Sequence, residues 1–199
     1  KIYDIAGNIT LVTPIEVTGN KITADTIAPS LSSLVVTTPT SGIYKAGQKV
    51  TIVANYSENI YGTANRDKVS ANTAPSLKIK FGTSAERTAN FVSAEGTKVN
   101  YEYTIGAGDN GKLALIAYSG KVYDIARNET TISKANLSGN DITADTTAPT
   151  ISGVSGNPTN WTNKDVTLVI NNASDNIAGL ASEAYSFDNG ASWQASNQK

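Results

Sequence analysis

Residues 98–105 read KVNYEYTI, and their order decides the fold class. Val99, Tyr101, Tyr103 and Ile105 fall on one side of an extended chain, and Lys98, Asn100, Glu102 and Thr104 on the other. A period of two is the mark of a strand with one face on a core and one in water. The same alternation recurs in KVTIVANY (49–56) and LKIKF (77–81), and again in VTLVI (166–170) and AYSF (184–187). LALIAY (113–118) and KVYDIA (121–126) read as one long strand, with a bulge expected at Ser119–Gly120. Turn formers separate these runs: TSG (40–42), GAGDNG (106–111), SGN (138–140) and FDNGAS (187–192). No stretch carries a 3.6-residue apolar stripe, so the chain is expected to be all-β.

Outward from the strands, the chain repeats itself. Residues 1–32 align without a gap on residues 121–152, an offset of 121 − 1 = 120, and about half of the aligned positions are identical. The shared residues include Tyr3/Tyr123, Asp4/Asp124, Asn8/Asn128, Asp25/Asp145 and Pro29/Pro149. This divides the chain into the last strands of one unit (1–26), a whole unit (27–146) and the first part of another (147–199). About seven short strands in a unit of this length suit an immunoglobulin-like antiparallel sandwich, repeated in tandem.

Composition narrows the function. Lys and Arg number 16 against 17 Asp and Glu, a net charge of −1, which offers no basic surface to nucleic acid or to an anionic membrane. The longest apolar run, Leu113–Tyr118, is far too short to span a bilayer, so no membrane insertion is expected. No signal-peptide pattern opens the chain, and its abrupt start leads us to expect an excerpt of a longer protein. Cys, His and Met are absent. Thiol nucleophiles, disulfides, zinc knuckles and the usual general base near neutral pH are thereby excluded. Neither a G-x-S-x-G elbow nor H-E-x-x-H occurs, and nothing sets a carboxylate pair such as Glu58 and Glu102 across a cleft. Catalysis is not expected. A metal, if held, is a hard cation on oxygen ligands, with calcium the best fit.

The phrases YDIAGN (3–8), YDIARN (123–128), DTIAP (25–29) and DTTAP (145–149) resemble the signatures of bacterial Ig-like domains, which stack in large cell-surface adhesins and envelope proteins. The segment from Trp161 to Trp193 resembles an Ig-like repeat of another subtype. The resemblance implies an extracellular spacer whose partners are its neighbouring Ig-like domains. It also places the D-x-A-G-N phrase in the turn between the last two strands and the D-T-T-A-P phrase at the passage to the next unit. Arg127 stands where the family's turn carries Gly, as at Gly7, so a looser second turn is expected.

That placement brings the Asp124–Asn128 turn near the linker bearing Asp25 and near the loop with Glu58. Asp25, Glu58, Asp124 and Asn128 would then meet at the first junction. Asp145 would face Asp175 and Asn176 at the second. Several carboxylates around a carbonyl-rich joint suit calcium. The same aspartates also suit plain Asx-turns to their own backbone, and both readings stand. Pro29 and Pro149 end strand pairing and stiffen the crossing in either case.

Trp161 and Trp193, with Tyr185, are expected in a core or corner, the alternative being an aromatic platform for a glycan or a host surface protein. The partial outer units also leave strand edges through which copies of the chain would pair head to tail.

Overall fold

The computed structural model describes residues 2–10, 23–133 and 135–199. Among these there is no helix, and so none long and apolar enough to cross a membrane. Fourteen strands follow in chain order: β1 Ile2–Tyr3, β2 Ile9–Thr10, β3 Leu31–Thr38, β4 Ser41–Tyr44, β5 Lys49–Tyr56, β6 Ser76–Phe81 and β7 Arg87–Glu95, then β8 Lys98–Thr104, β9 Gly111–Tyr123, β10 Glu129–Ile132, β11 Leu137–Ser138, β12 Asp141–Ala144, β13 Gly153–Ser155 and β14 Val169–Asn171.

Ten of these, β3 to β12, form one mixed sheet in the order β11-β3-β5-β8-β7-β6-β9-β12-β4, with β10 added to β9. Most pairs are antiparallel, but β11 runs parallel to β3 and β12 parallel to β4. These four strands close the shape. β11 and β12 are separated only by Gly139 and Asn140, yet they lie toward opposite ends of the strand order. The ends of the sheet are therefore drawn together, and the sheet curls around a core.

The alternation seen in the sequence is the alternation of burial. Val50, Ile52, Ala54 and Tyr56 on β5 are buried, as are Val99 and Tyr101 on β8. Leu77, Ile79 and Phe81 of β6 meet them from across the curl. Inside, the hydroxyls of Tyr56 and Tyr118 lie 2.8 Å apart, and Tyr101 donates to the Pro75 carbonyl at 2.7 Å. Burial lifts all three phenols, Tyr56 to about 12, so they stay neutral and bonded.

Two expectations need correction. β9 runs unbroken through Ser119–Gly120, and the register shift lies at Ile116, where Ala117 and Leu115 face Lys78 and Ile79. Ser119–Gly120 is instead where β9 changes partner: Ser119 pairs with β6 and Gly120 with β10. A Cβ at Gly120 would sit 2.7 Å from the Pro75 Cα, which explains the glycine. The second correction concerns residues 147–199. There VTLVI contributes to the short β14, paired with β13 on one side and bridged from Val169 to Gln198 on the other, and AYSF makes a single bridge from Tyr185 to Gln194. None of these residues is buried. An alternating pattern has no face to choose when no core lies beside it.

Candidate metal centre at the first junction

Asp124 and Asn128 build the site from a five-residue turn. The Asn128 amide donates to Asp124 Oδ1 at 2.8 Å, and its side-chain nitrogen to Oδ2 at 2.6 Å. The Asp124 amide returns to the Asn128 carbonyl at 3.2 Å, and the Arg127 amide to the Asp124 carbonyl at 3.2 Å. Asp4 and Asn8 repeat this frame with 2.8, 2.7, 3.2 and 3.1 Å. The second turn is thus as tight as the first, contrary to the expectation from Arg127. Arg127 accepts φ 76° where Gly7 has φ 85°, and four hydrogen bonds hold it there.

The turn then reaches the linker. Asn128 Nδ2 also donates to the Asp25 carbonyl at 3.0 Å and sits 3.5 Å from the Ile27 carbonyl. Thr130 Oγ1 donates to the Pro29 carbonyl. The Ser30 amide donates to Ser57 Oγ, and the Ser57 amide to the Ser30 carbonyl, each at 2.9 Å. The incoming segment is pinned on three sides.

Around this joint Asp25, Glu58 and Asp124 each place a carboxylate oxygen within 4.8 Å of the other two. Two ligands on opposite sides of a calcium ion lie about 5 Å apart, so the spacing fits one such ion. Asp124 is wholly buried, Glu58 half-buried and Asp25 exposed. None of the three takes part in an ion pair among the described residues. Partial burial first, and then the charges of Asp25 and Asp124, push the Glu58 carboxyl above its usual range. Asn128 faces the cluster with its amide nitrogen, a donor that braces Asp124 rather than a cation ligand. Asp25 Oδ1 also accepts the Ile27 amide at 3.1 Å, so the Asx-turn and the acidic cluster coexist.

The acids expected at the second junction, around Asp145, are used differently. Asp145 Oδ1 accepts the Thr147 amide at 3.1 Å, the same Asx-turn as at Asp25, while Oδ2 accepts the Ala178 amide at 2.9 Å. Asp175 Oδ1 accepts the amides of Ile177, Ala178 and Gly179 at 2.8–3.0 Å, which lowers its pKa. Asn176 is exposed beside them. Here the carboxylates neutralise backbone N–H groups.

The tryptophans expected in a core or corner are both on the surface. Trp161 is 105% exposed in the Pro158–Thr162 loop, and Trp193 is 57% exposed beside Gly190. Tyr185 is half-buried.

Sequence reasoning missed a second acidic centre. Asp109 is wholly buried; it accepts Arg87 Nε at 2.7 Å, the Tyr103 hydroxyl at 2.6 Å and the Gly106 amide at 2.9 Å. Its neighbours Gly108 and Asn110 hold Thr146 of the outgoing linker at 3.0 and 2.8 Å. The GAGDNG turn signal located the loop but not its partners. No protein-family model matches the chain, and no curated protein matches it.

Proposed function

We propose that this chain is a non-catalytic spacer: Ig-like units in tandem from the extracellular surface of a bacterium, as in an adhesin stalk or envelope layer, with the first junction rigidified by calcium. The ten-stranded sheet supports the Ig-like part of this reading. β3, β5, β8 and β7 pair antiparallel along one part of the sheet, and buried side chains of β5 and β8 share a single core with those of β6, β9 and β12, as the two halves of a sandwich would. The resemblance to bacterial Ig-like repeats remains part of the proposal.

One observation carries the spacer reading. The side chain of Asn128 bonds at once to its own turn and to the main chain of the incoming linker, so the repeated phrase builds the joint. A joint fixed by hydrogen bonds and proline limits bending between units. The acidic trio would complete it with a hard cation, Asp25, Glu58 and Asp124 supplying carboxylate oxygens. Calcium titration by calorimetry tests this directly. One site in the 199-residue chain, lost in Glu58→Gln, supports the metal-held joint, and no heat at millimolar calcium rejects it.

Trp161 favours a second reading, that of a binding module for a glycan or a host surface protein. A fully exposed indole beside Thr159, Asn160 and Thr162 offers a stacking face with polar neighbours. Saturable binding on a glycan array, abolished by Trp161→Ala, would replace the spacer with this module.

A further inference from the structure

We infer that the unit between the two junctions is built to resist tension along the chain, through a parallel seam that is loaded in shear. This rests on the spacer reading, because it takes the linkers at both ends as the points where force arrives.

The seam joins the first and last strands of the unit. Ser41–Tyr44 of β4 pairs residue for residue with Asp141–Ala144 of β12, and Leu34 and Val35 of β3 pair with Leu137 and Ser138 of β11. Both pairings are parallel. The incoming chain meets β3 at its first residue, Leu31, and the outgoing chain leaves β12 at its last, Ala144. Because β3 and β4 are both pulled from their N-terminal side and β11 and β12 both from their C-terminal side, each parallel pair is loaded at opposite ends. Tension therefore slides the strands past one another, and every rung of the ladder must give way together. An antiparallel hairpin such as β1–β2, pulled at its two free ends, opens one rung at a time.

Side chains and close approaches reinforce the seam. The Asp145 amide extends the β4–β12 ladder by donating to the Tyr44 carbonyl at 2.9 Å. Ser138 Oγ donates to the Leu34 carbonyl at 3.3 Å, and Asn140 Nδ2 to the Leu113 carbonyl at 3.3 Å. At Gly139 a Cβ would stand 2.8 Å from the Val36 carbonyl oxygen, so only glycine lets the two backbones come this close. Lys112 of β9 pairs with the exposed Asp141 at 3.1 Å and so ties β12 to its other neighbour. Ile142 and Ala144 are wholly buried, so sliding β12 also drags apolar side chains out of the core.

Single-molecule stretching of the whole 199-residue chain tests the direction of resistance. One sample is tethered through terminal tags. A second is tethered through the N-terminal tag and Asp141→Cys, an exposed position in a chain with no other cysteine, and the first sample carries the same substitution with its thiol capped, so that loss of the Lys112 pair is common to both. The second geometry peels β12 from β4 and leaves only the two β11–β3 pairs in shear. Forced unfolding reports the barrier of the loaded route, and we expect the main rupture force to fall by about half in the second geometry.

A third sample carries Ile43→Cys with Thr143→Cys, which are facing partners in the seam. Oxidised, it should lose the release of 143 − 43 = 100 residues, about 350 Å of chain, and regain it on reduction. Equal rupture forces in the two geometries would overturn the shear seam, as would an oxidised sample that still releases this length. A ligand found for Trp161 would sink the spacer reading without changing the ratio of forces, so the two failures are separable.

Discussion

Asn128 and Asp25, 103 residues apart in sequence, are joined by a 3.0 Å hydrogen bond from the asparagine side chain to the aspartate's main-chain carbonyl. The same amide nitrogen holds Asp124 Oδ2 at 2.6 Å. One side chain thus sets the shape of a turn and the position of the linker that passes over it.

Asn128→Ala should therefore cost about 1–3 kcal/mol of stability, since it leaves the buried Asp124 carboxylate short of a donor. Asn8→Ala removes the same bond from an exposed turn and should cost well under half as much. Urea denaturation of both variants checks the contrast, and equal losses would refute it.

Calcium should raise the melting temperature of the whole chain by mass action, by about 2.7 kcal/mol equivalent at a hundredfold excess over the dissociation constant. Glu58→Gln should remove the rise, and so should Asp25→Ala. Asp145→Ala should lower the melting temperature, because it strips the acceptor from the Thr147 and Ala178 amides, but leave the calcium increment intact, because among the described residues Asp145 belongs to no trio of clustered carboxylates. A calcium increment that depends on Asp145 would relocate the site.

The Glu58 carboxyl titrates above its usual range, and partial burial is the first cause. A raised carboxyl favours the protonated folded form, so its contribution is fully present below the unfolded value of 4.5 and is lost as pH rises through the folded value. In the absence of calcium, Glu58→Gln should become more stable relative to the wild type as pH rises from 4 to 7, and added calcium should shrink or reverse that difference. Thermal melts across this range decide it.

Asp109→Ala breaks the pair with Arg87 and leaves Tyr103 and the Gly106 amide without their acceptor. A loss of about 3 kcal/mol or more is expected. Asp109→Asn, which keeps an acceptor for one donor, should recover part of it. Trp161→Ala, by contrast, should stay within about 0.5 kcal/mol of the wild type, as befits an exposed side chain.

Much of this architecture is legible in the sequence where burial and pattern coincide. Residues 49–56 and 98–104 alternate because one face of each strand is sealed in the core. The meeting of Asp25, Glu58 and Asp124 could be anticipated only through the resemblance to Ig-like repeats, which implies that the turn lies beside the incoming linker and the Glu58 loop; the repeat by itself marks the turn and the linker but does not bring them together. Asp109 could not, since Arg87 and Tyr103 come to it from separate strands and no spacing in the chain announces them. Arg127 misled because glycine is only one way to hold a positive φ; the bonds between Asp124 and Asn128 are another. Residues 166–170 alternate like β5 but find no core, so the pattern there spells only a short ladder.

The closure of the sheet by residues 137–144 has a consequence for biosynthesis. A ribosome delivers β3 and β4 about a hundred residues before the strands that cover them. Until Ala144 has left the exit tunnel, both edges stay bare, and the unit cannot lock. On the proposed tandem reading, those bare edges would be open to strands of a neighbouring unit for as long as residues 137–144 are still to come, so closure by the unit's own last strands is the step that would keep each unit to itself.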